Sequence, residues 1–242
     1  MAVVNLTPDS FHAPSRVSAE RAQERVRALL DAGADIVDLG AVSTRPGASD
    51  VPAGEEWRRL EPVLRTWDSS VPLSVDTTRA VIVRRVYDCV GPFTVNDISA
   101  GHDDAQMLAT VGRLGLPYVA MHKRGNPRTM DDRCRYPGGV LSELLAYFSA
   151  FARLAEDCGI RDWVLDPGLG FAKTPEQNWE VLERLNWLRV FGRPVLVGAA
   201  DKRFTGGDTE RAHRLALAHG ADILRVHDVA AARSTIDNFL SR

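Results

Sequence analysis

Eight short apolar runs recur along this chain, and each is followed by a segment whose apolar residues have helical spacing. The runs are Ala2-Val3-Val4, Ile36-Val37, Pro72-Leu73-Ser74-Val75, Phe93-Thr94-Val95, Tyr118-Val119-Ala120-Met121, Trp163-Val164-Leu165, Val195-Leu196-Val197 and Ile223-Leu224-Arg225-Val226. Eight strands that alternate with helices form a closed parallel barrel, although the same alternation also permits an open, doubly wound sheet. Because the count is eight with no strand to spare, we predict an α/β fold, a TIM-type (β/α)8 barrel, as a single domain over residues 1–242.

The sequence predicts where two of the helices begin and end. The first contains Ala22 and Val26, and it should begin after a cap at Ser18 and end at Gly33. The second runs from Leu141 and stops at Gly159. The shorter helical segments are Val81–Val86, Met107–Leu114, Trp179–Leu188 and Leu215–Ala218.

Composition narrows the possible functions. Lysine and arginine total 30 against 32 aspartates and glutamates, a net charge of −2, so no basic surface for nucleic acid is expected. The longest apolar stretches have the length of a strand, which predicts no membrane span, and the N-terminus has no signal-peptide pattern. The three cysteines are odd in number and form no CxxC pair, which favours a reducing cytoplasm over a disulfide framework.

A polar or charged residue follows each of the eight runs. These residues are Asn5, Asp38, Asp76, Asn96 with Asp97, His122, Asp166, Lys202, and His227 beside Arg225. Parallel strands of a barrel direct their carboxyl ends to one mouth, so these side chains should converge there. A single aspartate after a strand is usually a helix cap or a turn former. Its repetition at every strand predicts an active site at the mouth.

The residue types indicate the chemistry of the ligand. Asp76, Asn96 and Asp166 suit the N–H groups of a flat, nitrogen-rich heterocycle. Lys202 and Arg225 bring positive charge, which suits an anion or stacking on a ring. We therefore expect a ligand with a planar polar head and an anionic end.

Structural alternatives stay open for both cations. Arg225 has Asp201 and Asp228 as possible partners, and Lys202 has the alternative of a solvated loop position. A further cation stands in the loop Thr44-Arg45-Pro46-Gly47, after the second strand. The sequence contains no Walker-type phosphate loop, no GxGxxG after the first strand and no HExxH or Cys/His cluster. These absences argue against a P-loop nucleotide site, a dinucleotide fold and a transition-metal site.

Motifs along the whole chain resemble those of the dihydropteroate synthase family, in the same order. They are Asn5-Leu6-Thr7-Pro8-Asp9-Ser10-Phe11, Gly33–Gly40 with Ser43–Ala48, Leu73–Thr77, Val95–Ser99, Met121–Gly125, Leu165–Phe171 and Arg225–Val229. The resemblance implies the reaction of this family, which condenses 6-hydroxymethyl-7,8-dihydropterin diphosphate with 4-aminobenzoate to 7,8-dihydropteroate and pyrophosphate in folate biosynthesis. It also implies Mg²⁺ as cofactor and a homodimer formed through helices on the barrel exterior.

The resemblance assigns the residues at the planar head of the ligand. It implies that Asp76, Asn96 and Asp166 hold the pterin edge. It implies that Lys202 lies along the pterin and reaches toward the aminobenzoate, while Arg225 stacks on the pterin face. Two further substrate-binding positions within the motifs are Met121 and Phe171.

The resemblance also assigns the anionic end and the second substrate. It implies that Arg225 and His227 bind the diphosphate and that Asn5 contributes to the metal site. It implies as well that Thr44 and Arg45 belong to a loop that closes over the aminobenzoate. The residues expected to be catalytic are Lys202, Arg225 and Arg45.

The chain departs from the family pattern at two motifs. After Phe11 it reads His12-Ala13-Pro14-Ser15 where the family has Ser-Asp-Gly-Gly, and Ala200-Asp201-Lys202 replaces Ser-Arg-Lys. The segment 204–221 is also shorter than usual. We expect Asp201 to point away from Lys202, because neighbouring side chains alternate on an extended segment.

These departures leave two alternatives to an active synthase. One is a pterin-binding paralogue without turnover, because the changes affect the aminobenzoate and diphosphate ends and spare the pterin edge. The other is a barrel that transfers a methyl group from methyltetrahydrofolate, which shares the pterin edge. Thr44-Arg45-Pro46, Lys202 and His227 argue against the second alternative.

Overall fold

In the residues that the computed structural model describes, eight parallel strands alternate with eight α-helices. The structure describes residues 1–6, 15–42, 51–125, 129–200 and 202–241. The strands are Ala2–Asn5 (β1), Val37–Gly40 (β2), Leu73–Asp76 (β3), Thr94–Asp97 (β4), Tyr118–Met121 (β5), Trp163–Asp166 (β6), Leu196–Val197 (β7) and Ile223–Leu224 (β8).

The strands close into a barrel. Strands β1 to β6 pair in sequence order, and β7 pairs with β8, always in parallel. Single parallel bridges join the two groups, Leu165 to Val195 on one side and Ala2 to Val226 on the other. The backbone N–H of Val3 donates to the carbonyl of Val226 at 2.9 Å across the second seam. The predicted (β/α)8 barrel is therefore confirmed, and the open sheet is excluded.

The helices follow the strands, with two differences from the sequence prediction. They are Ser15–Asp31 (α1), Ala53–Leu64 (α2), Ala80–Val90 (α3), Met107–Leu114 (α4), Val140–Asp157 (α5), Pro175–Glu183 (α6), Thr209–Ala218 (α7) and Val229–Leu240 (α8). The cap at Ser18 was wrong, because α1 begins at Ser15. The predicted segment Trp179–Leu188 is helical but is not one helix, since α6 ends at Glu183 and a 3-10 helix, Leu185–Phe191, follows it.

Apolar side chains fill the space between the strands and the helices, but inside the barrel they fill only the end opposite the mouth. The main core lies between the strands and the surrounding helices. A second, small cluster consists of Met1, Val119 and Leu196. Toward the mouth, the side chains of Asp38, Ser74 and Asn96 on β2, β3 and β4 hydrogen-bond to one another instead. The apolar interior therefore ends where the polar residues of the mouth begin.

None of the described helices is long and apolar enough to cross a bilayer.

Candidate active site

Strand register places several of the predicted site residues side by side. One row crosses β1 to β4 at the mouth, and a second row crosses β5 and β6. The first row is Asn5, Gly40, Asp76 and Asn96, and the second is Met121 with Asp166. These residues belong to the strands themselves, so the hydrogen-bonded sheet fixes their backbones. The site is therefore built on the rigid part of the fold.

An ion pair joins Asp38 on β2 to Arg225, which directly follows β8. Asp38 is 0% exposed, and its Oδ2 accepts from Arg225 Nε at 2.7 Å and from Asn96 Nδ2 at 3.0 Å. Its Oδ1 accepts from the Ser74 hydroxyl at 2.6 Å. Three donors thus compensate one buried carboxylate, as burial of a charge requires. The pair fixes the guanidinium at the mouth.

The same guanidinium reaches a second carboxylate. Arg225 Nη2 donates to Asp76 Oδ2 at 2.9 Å. Burial lowers the pKa of Arg225, but the two carboxylates outweigh burial and keep this pKa above its ordinary value. Burial raises the pKa of Asp76 to about 7, although the charge of Arg225 opposes the shift and that of Asp38 adds to it. Asp76 therefore gains a proton near neutral pH in the free protein.

In the contacts among the described residues, the acceptors Asp166, Asp76 and Asn96 each keep one oxygen for a ligand. Asp166 Oδ1 accepts from the backbone N–H of Gly168 at 2.8 Å, which leaves Oδ2. Asp76 uses Oδ2 for Arg225, which leaves Oδ1, and Asn96 donates through Nδ2 to Asp38, which leaves its Oδ1. Burial also raises the pKa of Asp166. The mouth therefore presents acceptors that the protein itself holds in place.

Lys202 lies over an aromatic ring. Its Nζ is 4.6 Å from the centre of the Phe171 ring, within the range of a cation–π interaction. Burial lowers the pKa of Lys202, while the nearby charge of Asp166 opposes that shift. Within the described part of the chain, this ammonium makes no ion pair with a carboxylate. It is not a solvated loop residue, since its side chain is partly buried.

Three side chains that the structure places in or beside the site had no role in the sequence prediction. Asp38 was noted only as a residue after a strand, although an aspartate between the buried Val37 and Leu39 is a signal of an internal partner. Lys173 and His122 are both buried, and Lys173 Nζ lies 3.0 Å from His122 Nδ1. Burial lowers the pKa of His122 to about 2, so this imidazole stays neutral.

The remaining predictions have mixed outcomes. Among the described residues the ion pairs of Arg225 are with Asp38 and Asp76, so Asp228 was wrong as its partner, whereas the alternative Asp201 lies outside the described residues. His227 is partly buried at the end of the barrel, and its carbonyl accepts from the Arg25 guanidinium at 3.3 Å. The predictions for Thr44, Arg45 and Asp201 concern positions outside the described residues.

The residues present fit a hard cation that takes few protein ligands. In the described residues, no group of three or more His, Cys, Asp or Glu side chains is arranged to hold a metal. Asn5 ends β1 beside Gly40, with its Oδ1 3.5 Å from the position of a Cβ on that glycine. An amide oxygen combined with water and substrate oxygens suits Mg²⁺ and does not suit Zn²⁺.

Comparison with known proteins gives one consistent result. Residues 1–227 match the family of pterin binding enzymes. Dihydropteroate synthase of Synechocystis is 38% identical over 96% of this chain and 85% of its own length. The crystal structure of the Clostridium difficile dihydropteroate synthase in the presence of pteroic acid has a TM-score of 0.89 at 34% identity, over 99% of this chain and 95% of that one. The Xanthomonas albilineans dihydropteroate synthase with 4-aminobenzoic acid also has a TM-score of 0.89 at 34% identity, over 100% and 91%.

The buried ion pair predicts a large effect of Asp38→Ala on stability. The substitution leaves the Arg225 guanidinium without its main partner, which should lower the free energy of unfolding by about 3–5 kcal/mol. The matched control is Asp35→Ala, because Asp35 also pairs with an arginine, Arg233, at 3.1 Å but is 75% exposed. The control should cost less than about 1 kcal/mol. Urea unfolding of the three proteins measures both effects, and equal losses would contradict the assignment.

Proposed function

Because this chain belongs to the dihydropteroate synthase family, we propose that it is a transferase of folate biosynthesis that joins 6-hydroxymethyl-7,8-dihydropterin diphosphate to 4-aminobenzoate, with release of pyrophosphate. One observation carries the proposal beyond family membership. Asp76, Asn96 and Asp166 each keep one oxygen for a ligand beside the cations Arg225 and Lys202. That arrangement matches a planar ring rich in N–H donors with an anionic substituent.

The acceptors suit the pyrimidine edge of a pterin. The 2-amino group and the ring N3–H are donors, and a pocket of acceptors pairs with them without leaving a buried group unsatisfied. Asp166 supplies a carboxylate oxygen, and Asn96 is oriented by Asp38 so that its oxygen, not its NH₂ group, is available. Met121, opposite Asp166 in the sheet, supplies an apolar surface beside the ring. These contacts orient the pterin and its reacting methylene.

The cations suit the departing diphosphate. Among the described residues, Arg225 uses Nε and Nη2 for the two aspartates, so in this part of the chain Nη1 remains for phosphate oxygens. Because its carboxylate partners fix the guanidinium in advance, little reorganisation is needed when negative charge develops on the leaving group. Lys202 adds positive charge near the pterin, and His227 follows Arg225 closely on the same loop. The amine of 4-aminobenzoate then needs chiefly to be positioned for attack on the methylene.

Mg²⁺ is part of the proposal. When bound, the ion would neutralise charge on the diphosphate oxygens and so improve the leaving group. Asn5 would hold it through Oδ1, at the end of β1, with Gly40 of β2 between Asn5 and Asp76. For Thr44 and Arg45, the proposed contact with the aminobenzoate rests on the resemblance of the motif alone. The proposed cytoplasmic location rests on three free cysteines.

Turnover is the direct test. Purified protein with the pterin diphosphate, Mg²⁺ and 4-aminobenzoate should release pyrophosphate and form dihydropteroate, and EDTA should suppress both. Lys202→Ala should lower kcat by roughly 100-fold, because it removes the cation at the reacting end of the pterin. The control is Lys123→Ala, since Lys123 pairs with the partly exposed Asp103. Pterin binding without product would show a binding paralogue instead of a synthase, and a normal rate for Lys202→Ala would refute the role of that lysine.

The raised pKa of Asp76 predicts a pH dependence of pterin affinity. Only the ionised carboxyl accepts N–H donors with both oxygens, so affinity should rise as the pH increases through about 7 and then level off. Below that pH the proton on Asp76 must be lost before the pterin binds. Isothermal titration with the pterin from pH 5.5 to 8.5 measures the effect. Asp76→Asn is the control that should flatten the curve, and an unchanged pH profile in this variant would assign the dependence elsewhere.

We also propose a homodimer. The family resemblance implies contacts through helices on the barrel exterior, and the 3-10 helix after α6 carries Trp187 and Val190 at 47% and 76% exposure. Exposed apolar side chains of this size favour burial against a partner. Sedimentation equilibrium at micromolar concentration should give the mass of two chains. The mass of one chain would contradict the proposal.

A further inference from the structure

Lysine is rare in this protein and its positions are not random. The sequence has three lysines against 27 arginines. Lys123 follows β5, Lys173 follows β6 and Lys202 follows β7, so all three stand in loops at the mouth of the barrel. Arginine is a bulky planar fork that stays charged, whereas lysine is a compact amine whose pKa changes readily on burial. The three lysines thus stand at one end of the barrel, and Lys123 differs from the other two because it pairs with the exposed carboxylate of Asp103.

Lys173 is held in a site that fits an ammonium group. It is 7% exposed, and its Nζ donates to the carbonyls of Gly168 at 3.0 Å and Phe171 at 3.2 Å. The third contact is His122 Nδ1 at 3.0 Å. An ammonium has three N–H donors, and all three have acceptors here. Burial also lowers the pKa of Lys173 to about 7.

The two carbonyls belong to a tightly bent loop. Gly168, Gly170 and Ala172 have φ angles of 66°, 76° and 49°, in the left-handed region that is costly for alanine. A Cβ on Gly168 would lie 2.0 Å from the carbonyl oxygen of His122, so the loop presses against the end of β5. Such a conformation persists only where surrounding contacts hold it.

The loop in turn supports Lys202. The Phe171 ring lies under the Lys202 ammonium at 4.6 Å, and the Lys202 side chain runs past Gly170, with Cδ 3.1 Å from the position of a Cβ there. Lys173 contacts the backbone carbonyls of this loop, whereas Lys202 contacts the side-chain ring of Phe171. The two lysines are therefore connected by the segment Gly168–Phe171 without contacting each other directly.

We propose that Lys173 is a positioning residue: through the carbonyls of Gly168 and Phe171 and through His122, its ammonium fixes the loop that sets the place of Lys202. The consequence for turnover rests on the proposed synthase function. The consequence for the environment of Lys202 does not depend on that function.

Amine labelling tests the environment of Lys202 without any assay of activity. Acetic anhydride acylates exposed amines, and with three lysines each site is resolved by peptide mass spectrometry. In Lys173→Met the loop should loosen and uncover Lys202, which should raise its acylation rate by about threefold or more. Lys123→Met is the matched control and should leave that rate unchanged. An unchanged rate in folded Lys173→Met, checked by circular dichroism, would overturn the proposal.

A double-mutant cycle tests the consequence for turnover. Lys173→Met should lower kcat by roughly 10- to 100-fold with a much smaller change in KM for the pterin diphosphate, because the strand residues that hold the pterin stay in place. In a Lys202→Ala background, Lys173→Met should have almost no further effect, whereas a general loss of structure would add its full cost. Additive effects would overturn the proposal. Should Lys173→Met fail to fold, Lys173→Gln takes its place: its shorter, neutral amide keeps two N–H donors but loses the third and the charge, so the same changes are expected at a smaller size, and no change in either experiment would overturn the proposal.

An inactive wild-type protein would refute the proposed synthase function alone. The labelling comparison would still decide the role of Lys173. The two failures are therefore distinguishable.

Discussion

The ion pair between Asp38 and Arg225 is the interaction on which the mouth of this barrel depends. Asp38 lies on the second strand and Arg225 just after the eighth, and Nε and Oδ2 are 2.7 Å apart. A fully buried carboxylate is costly without compensation, and this one is compensated by a guanidinium, an amide and a hydroxyl. Each of these donors is thereby fixed in place. The donors that offset the free-energy cost of burying the Asp38 carboxylate are therefore the same groups that it holds in position at the site.

The hydrogen bonds that fix the donors of the site also determine which acceptor atoms remain for a ligand. Asn96 gives its NH₂ to Asp38, and Asp76 gives one oxygen to Arg225, so the atoms left for a ligand are determined before the ligand arrives. Such preorganisation reduces the cost of binding and of charge development during reaction. The raised pKa of Asp76 and of Asp166 has the same origin, since burial disfavours carboxylate charge until N–H donors are supplied.

The cations of the site differ in how the protein holds them and in the direction in which their pKa is shifted. Arg225 is held by two carboxylates and keeps its charge under all ordinary conditions, as the planar fork of arginine allows. Lys202 and Lys173 both contact the loop Gly168–Phe171, and burial lowers the pKa of both. A compact amine fits between two carbonyls and an imidazole nitrogen, where the five N–H groups of a guanidinium would exceed the acceptors available.

The sequence by itself determined the barrel and the list of residues at its mouth, because strand periodicity and the polar residues at strand ends are local patterns. Eight runs gave eight strands, and Asp76, Asn96 and Asp166 stand where the alternation put them. Only the tertiary structure decided which atoms pair. The choice of Asp38 and Asp76 as partners of Arg225, the burial of Lys173 against His122, and the contact of Lys202 with Phe171 join residues from different strands and loops. Closure of the barrel creates these contacts, since it brings together groups as far apart along the chain as positions 38 and 225, whose separation no local pattern encodes.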